Sequence, residues 1–172
     1  MSAAPSVSER LIDCVAGITA DTIPASVRKR AEDLLIDIAG LCVAARDTEY
    51  VKALVASVDG GGKCTALGHG GSFSAEDAAM INGSLAHADE TDDNYSAGGA
   101  HPGCAVVPAA LAIGEALGSS GRSFLHAVTL GYDVGTPAAD LRFCQVVTVP
   151  NETLGVTVTV GSQSAAFSVS PA

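Results

Sequence analysis

Histidines and carboxylates crowd into residues 82–115, NGSLAHADETDDNYSAGGAHPGCAVVPAALAIGE. An apolar segment ends in His87, and the acidic run Asp89-Glu90-Thr91-Asp92-Asp93 follows. A Gly-containing loop then leads to His101-Pro102-Gly103 and a second apolar segment. Carboxylates beside an imidazole can move protons at neutral pH, because histidine titrates nearest to it. His101, Glu90 and Asp93 have the residue types for such work, although residue type alone favours a capping or core role for His101. Asn94, Asp92 and His87 could hold a substrate, although His87 at a helix C-terminus reads by itself as structural.

Other chemistries fit less well. Carboxylates at alternate positions could ligate calcium. The loop fails that pattern, with Asn94 where glycine is required and Ala100 where the closing glutamate belongs. Zinc is disfavoured because His87 and His101 are far apart and the cysteines lack ligand spacing. We therefore expect no metal and no cofactor. Gly60-Gly61-Gly62-Lys63 invites a phosphate-loop reading. Ser57 replaces its first glycine and Cys64 stands where a hydroxyl should meet magnesium, so a turn is expected instead. The Gly68-His69-Gly70-Gly71 stretch reads as a loop with a solvated histidine.

The elements that must position these groups read as helices. Ser6 and Glu9 have capping-box spacing, followed by Leu11, Ile12, Val15 and Ile18 at helical intervals. Pro24 suits a first turn, and Val27, Ala31, Leu34, Leu35, Ile38, Leu41 and Cys42 then recur with helical period. A weaker helix is expected over 49–58 and a short strand over 64–67. Ser74 and Asp77 announce a helix over about 75–88, with Met80, Ile81, Ser84, Leu85 and Ala88 facing the core. Asn82 and Gly83 permit close approach of a neighbour. Pro102 opens the next helix and leaves His101 at its N-terminal mouth. A last helix covers 121–135, with His126 as a structural histidine. Beyond it Phe143, Gln145, Val147 and Val149 alternate, as do residues 156–160, with a turn at Pro150-Asn151-Glu152.

Several ordered motifs resemble the MmgE/PrpD family, which includes 2-methylcitrate dehydratases and cis-aconitate decarboxylases. Asn82-Gly83-Ser84-Leu85-Ala86-His87 is similar to its N-G-x-x-A-H segment, and Glu90-Thr91-Asp92-Asp93-Asn94 to its acidic stretch. Residues 101–112 match its H-P-x-x-x-V-x-P-A-A-L-A segment. Leu34-Leu35-Ile36-Asp37-Ile38-Ala39-Gly40 and Gly131-Tyr132-Asp133-Val134-Gly135 agree with flanking patterns. The resemblance implies a mainly α fold: a helical N-terminal domain over residues 6–136, followed by a short β-like tail over 137–172. It also implies a cofactor-independent lyase acting on a 2-methylcitrate- or cis-aconitate-like polycarboxylate. The resemblance reverses the ranking for His101, its H-P histidine. It implies His101, Glu90 at the first acidic position, and Asp93 as catalytic residues, with Asn94, where threonine is common, Asp92 and His87 binding substrate. The motifs cease after Thr136, so a truncated or frameshifted end is expected. The alternative reading is a non-catalytic helical fragment or interaction module. Only Arg122 and Arg142 follow His101 as cations that could hold carboxylates.

Composition narrows the partners. The net charge is −10 with nine Lys plus Arg among 172 residues, which excludes the basic patches that nucleic acid requires. No basic amphipathic helix addresses an anionic membrane, and no apolar run is long enough to span one. The chain is 48% hydrophobic yet lacks Trp, so small aliphatic residues must build the core. Such apolarity leads us to expect a homo-oligomer or a missing C-terminal domain covering the surplus surface. The five cysteines are scattered without a C-x-x-C pair, as in a reduced cytoplasmic protein.

Overall fold

The computed structural model describes Ser6, Glu9, Asp13, residues 15–96 and 99–135, and the backbone of strands at 142–148, 154–160 and 163–169. Among the described residues five named helices carry the fold: α1 (Ala25–Ala45), α2 (Glu49–Ala56), α3 (Ala75–Ala86), α4 (Gly103–Leu117) and α5 (Gly121–Gly135). The mainly α architecture agrees with the helical apolar periodicity.

Local signals account for the helix ends. The Ser6–Glu9 capping box forms in both directions, with Ser6 N donating to Glu9 Oε2 at 2.7 Å and Glu9 N to Ser6 Oγ at 3.2 Å. Leu11 and Ile12, expected to continue that helix, lie outside the described residues. Pro24 sits just before the first residue of α1 rather than within its first turn. Ser74 Oγ caps α3 by accepting from Asp77 N at 3.0 Å. At the end of α4, Gly118 adopts φ 64° and Ser119 N reaches back to Gly114 O at 2.8 Å, the αL stop that glycine permits. The strand expected over 64–67 is replaced by one antiparallel bridge between Cys64 and Phe73. The connection there is a turn-rich loop whose Gly62 carries φ +133° and leaves no room for a side chain against the Phe73 backbone.

The helices close around Ile38, Cys42, Val51, Ile81, Leu85, Val107 and Val128. The core stripe of α1 is Ala31, Ile38, Cys42 and Ala45, while Val27 is exposed. On α3 the buried face is Ala78, Ile81, Asn82, Leu85 and Ala86. Met80, expected inside, is exposed. One helical step separates Met80 from Ile81, and packing against α1 and α4 selects the latter's side of the helix. The most extensive helix contact is between α3 and α4. There Gly83 lies against Cys104 O, so closely that a Cβ would approach it to 3.0 Å. Pro108 supplies no N–H to that carbonyl within the helix, which leaves Cys104 O free to face α3. Gly131 similarly admits Val106 between α5 and α4.

Asn82 ties this core to the loop before α3. Its side chain is fully buried, accepts from Leu67 N at 2.7 Å and donates to Thr65 O at 2.8 Å. Glu115 of α4 holds the same loop from the other side, accepting from Thr65 N and Thr65 Oγ1 at 2.7 Å each. Cys42 and Cys64 are buried and donate to Asn82 O and Ala112 O, as small core residues. His126 Nε2 bonds Ile18 O at 3.1 Å, a structural role. His69, expected to be solvated, is half-buried, and its Nε2 is shielded from solvent.

After α5 the backbone forms an antiparallel three-stranded meander of β1 (Arg142–Thr148), β2 (Leu154–Val160) and β3 (Gln163–Val169). The turn expected at Pro150-Asn151-Glu152 lies outside the described residues. Among the described residues no helix is long and apolar enough to cross a membrane.

Candidate active site

The C-terminal end of α3 and the N-terminal end of α4 converge on Asp92. The loop between them is pinned by reciprocal backbone bonds between Tyr95 and Ala100. That closure brings His101 back over the acidic run. The Asp92 side chain has no exposed surface, and its Oδ1 lies 2.9 Å from His87 Nδ1 and 3.0 Å from His101 Nδ1. The two imidazoles meet edge to face, with centroids 4.9 Å apart. One carboxylate oxygen thus orients both histidines.

The other ring nitrogen of His101 faces Asn94. Asn94 Nδ2 lies 3.3 Å from His101 Nε2, a contact in which the amide donates and the ring accepts. That pattern places the proton of a neutral imidazole on Nδ1, where it is donated to Asp92. Nε2 then carries the lone pair, which accepts from Asn94. Asn94 is itself exposed and also accepts from Ser96 Oγ at 3.0 Å.

Asp93 points the other way. Its Oδ1 accepts from Gly103 N at 3.0 Å, and the Tyr132 hydroxyl donates to the same carboxylate. Asp93 therefore caps the first turn of α4 and links it to α5. Gly103 is required there, because a Cβ would overlap Asp93 Oδ1 and crowd Ile38 and Tyr132. Cys104 completes the group. It donates its thiol to His101 O at 3.1 Å, and Sγ lies within 4.8 Å of donor atoms on both His87 and Asp92.

The two adjacent aspartates titrate in opposite directions. Burial pushes Asp92 upward, but hydrogen bonding to His87, the neighbouring Cys104 thiol and the positive potential of both imidazoles outweigh it, leaving the carboxyl below its ordinary value. Burial raises Asp93, and the charge of Asp92 adds to that, against the lowering bonds from Tyr132 and Gly103. Burial and the two nearby carboxylates push the Cys104 thiol up to about 12. Tyr132 is likewise raised, by burial and by Asp93.

Of the six residues singled out from the sequence, the fold gathers His87, Asp92, Asn94 and His101 into one cluster and sets Asp93 at its base. Glu90 is exposed and adopts φ 52°, an unusual backbone for a non-glycine residue. Its side chain takes no part in the described hydrogen bonds of the cluster. Asp92, expected to touch a substrate, is buried beneath both histidines. Cys104 and Tyr132 were not singled out as site residues. Tyr132 arrives on α5, beyond any local spacing, while the nearness of Cys104 to His101, three residues earlier, was a signal the sequence did carry.

The fold is thus a helical scaffold in which a buried carboxylate orients two imidazoles between the end of one helix and the start of the next. The chain belongs to the family described by the MmgE/PrpD N-terminal domain, whose model matches residues 9–171. That match runs past Thr136, where the short motifs cease. The chain is 30% identical over 138 residues to a cis-aconitate decarboxylase of Aspergillus terreus, an alignment covering 75% of this chain and 28% of that protein. It is 28% identical over 139 residues to the cis-aconitate decarboxylase-like protein oryM of Aspergillus oryzae, covering 75% of this chain and 29% of the relative. The chain thus spans under a third of the length of these curated relatives, and its kinship is with a family of lyases.

Proposed function

We propose that this chain supplies the acid–base part of the active site of a cofactor-independent lyase, a dehydratase or decarboxylase acting on a branched di- or tricarboxylate of the 2-methylcitrate or cis-aconitate kind. The observation that carries this reading is the Asp92–His101 pair. A buried carboxylate fixes Nδ1 and leaves Nε2 to exchange a proton at carbon next to a substrate carboxylate. Asn94, already bonded to Nε2, is the group a substrate would displace or join. His87 shares the same carboxylate oxygen and lines the cluster from α3. Asp93 orients the first turn of α4 and so the backbone beside His101.

A second reading, a non-catalytic helical module, draws on the cations. Among the described residues no Lys or Arg bonds to the cluster, and Arg122 is paired with Asp21 instead. A polycarboxylate held only by acidic and neutral groups would lose hydration without compensation. We therefore place the cationic part of the site outside the described residues, in the family sequence that follows this domain. The test is turnover of 2-methylcitrate and cis-aconitate by the 172-residue chain, and by the chain extended in frame with the family sequence that follows this domain. We expect turnover only in the extended protein, reduced about 10²–10⁴-fold by His101→Ala. Extended protein that turns over neither acid, or is indifferent to His101→Ala, would remove the lyase reading. Robust turnover by the chain as it stands would refute the missing cationic part.

A further inference from the structure

The donor set around Asp92 has a use that proton transfer does not exhaust. His87 Nδ1, an Asp92 carboxylate oxygen and Cys104 Sγ all lie within 4.8 Å of one another. His101 Nδ1 borders the same carboxylate at 3.0 Å. Imidazole, thiolate and carboxylate together are the ligand types that zinc and its borderline neighbours prefer. Asp92 Oδ2 gives a second, separate sign. It is buried and has no hydrogen-bond partner, while Oδ1 receives two. A buried carboxylate oxygen left unpaired is costly and calls for a counterpart.

We propose that His87, Asp92 and Cys104 bind a divalent transition ion of the zinc type, with His101 or solvent in the fourth position. Tetrahedral bonds of about 2.0–2.3 Å place ligand atoms roughly 3.5 Å apart. His87 Nδ1 and Asp92 Oδ1, now 2.9 Å apart, therefore have to open slightly, and Cys104 Sγ, within 4.8 Å of both, has to close on them, a change in which the His87 side chain, 42% exposed, exchanges its bond to Asp92 for the ion. Binding sends the thiol proton of Cys104 to solvent and moves the Nδ1 proton of His87, and that of His101 where it ligates, to Nε2 of the same ring or to solvent. The ion takes the place of those protons between the donors. No pairwise spacing of Cys104 and His87 in the chain announces such a site, because the ligands come from the end of α3, the following loop and the first turn of α4. An ion held there would pin Asp92 and compete for the lone pairs around His101, opposing the acid–base work. That consequence rests on the lyase reading, whereas binding itself does not.

Co(II) is the probe, because thiolate ligation gives it a near-ultraviolet charge-transfer band that is read without any activity. The reduced, chelator-treated chain is titrated with Co(II), then with Zn(II) in competition. We expect one equivalent of Co(II), a charge-transfer band, and its loss on zinc addition. Cys104→Ser should abolish the band, and His87→Gln should weaken binding about tenfold or more. Circular dichroism of each variant separates loss of ligand from loss of fold. Should Cys104→Ser misfold, His87→Gln and Asp92→Asn decide by the same titration. Absence of a stoichiometric band in the folded wild-type chain, or its persistence in folded Cys104→Ser, overturns the site. In an active extended protein, zinc inhibition relieved by Cys104→Ser supports the antagonism. Binding without inhibition leaves the site standing and removes only that consequence.

Discussion

At the scale of single residues, Asp92 does more than the acidic run suggested. Its carboxylate is the one point that both imidazoles share, so its loss should be felt in both rings. Asp92→Ala is expected to release the Nδ1–H tautomer of His101, seen as a change in the ring nitrogen shifts by NMR, while helicity is retained. Unchanged ring nitrogens would mean that Asp92 does not orient them. Asp93 makes a different prediction through its raised pKa. Its folded value lies above the ordinary 3.8, so the folded state holds this proton more tightly than the unfolded chain. The associated stability is fully present below that ordinary value and is lost as pH rises through the folded value. Asp92, held below 3.8, contributes the opposite trend, present above the ordinary value and lost on acidification. Asp93→Asn should therefore remove a fall in stability on going from acid toward neutral pH. Urea midpoints across that range would show the wild-type and variant curves diverging, and parallel curves would count against the assignment.

At the scale of elements, the site depends on two close approaches. The first is α3 against the loop before it, through Asn82. Asn82→Ala leaves the half-buried Leu67 N–H without its acceptor and opens a void in a fully buried position. We expect a loss of about 1–3 kcal/mol, read from equilibrium denaturation. The second is α4 against α1 and α5 at Gly103. Gly103→Ala forces a methyl group into Asp93 and toward Ile38 and Tyr132, and should cost about 1–3 kcal/mol through overpacking. Gly61→Ala, where space is open, tests left-handed backbone strain alone and should cost less. Equal losses at the two glycines would argue that crowding at the site is unimportant. The N-G pair before His87 and the H-P-G run after the acidic loop are thus packing residues in part. They let α3 and α4 come near enough for one carboxylate to reach two histidines.

At the scale of the whole molecule, the exposed apolar surface stands out. Ile113 and Leu117 on α4 are 56% and 75% exposed, and Ile36 on α1 is 70% exposed. A groove of about 520 Å³ runs between α4 and α5, lined by Val106, Ala110, Ile113, Gly114, Phe124 and Ala127. We expect this face to be covered, by a second copy or by further family sequence. In the isolated chain it should bind apolar dyes and promote association, and Ile113→Glu with Leu117→Glu should reduce both. Light scattering after size exclusion provides the check. A clean monomer over a wide concentration range, without dye binding, would show the face to be self-sufficient.

The helical architecture, the capping boxes at Ser6 and Ser74, and the identity of the family were legible in the residues alone, because they rest on local spacing. Periodicity of 3.6 marks a buried face whatever lies opposite, and a cap is satisfied within its own turn. The candidate loop was legible for the same reason, since its histidines and carboxylates lie close along the chain. Which of them meet was decided by tertiary structure. Asp92 and Asp93 are neighbours of identical chemistry, yet one is turned onto His87 and His101 and the other onto Gly103 and Tyr132. Glu90 has the right charge but a backbone and exposure that leave it outside. Tyr132 enters only because α5 delivers it across a distance that no local pattern spans, whereas Cys104, three residues after His101, enters because the first turn of α4 points its thiol inward. Met80 and Ile81 were both expected inside, and only Ile81 is buried, for the same reason: helix periodicity permits either, and the neighbouring helices choose.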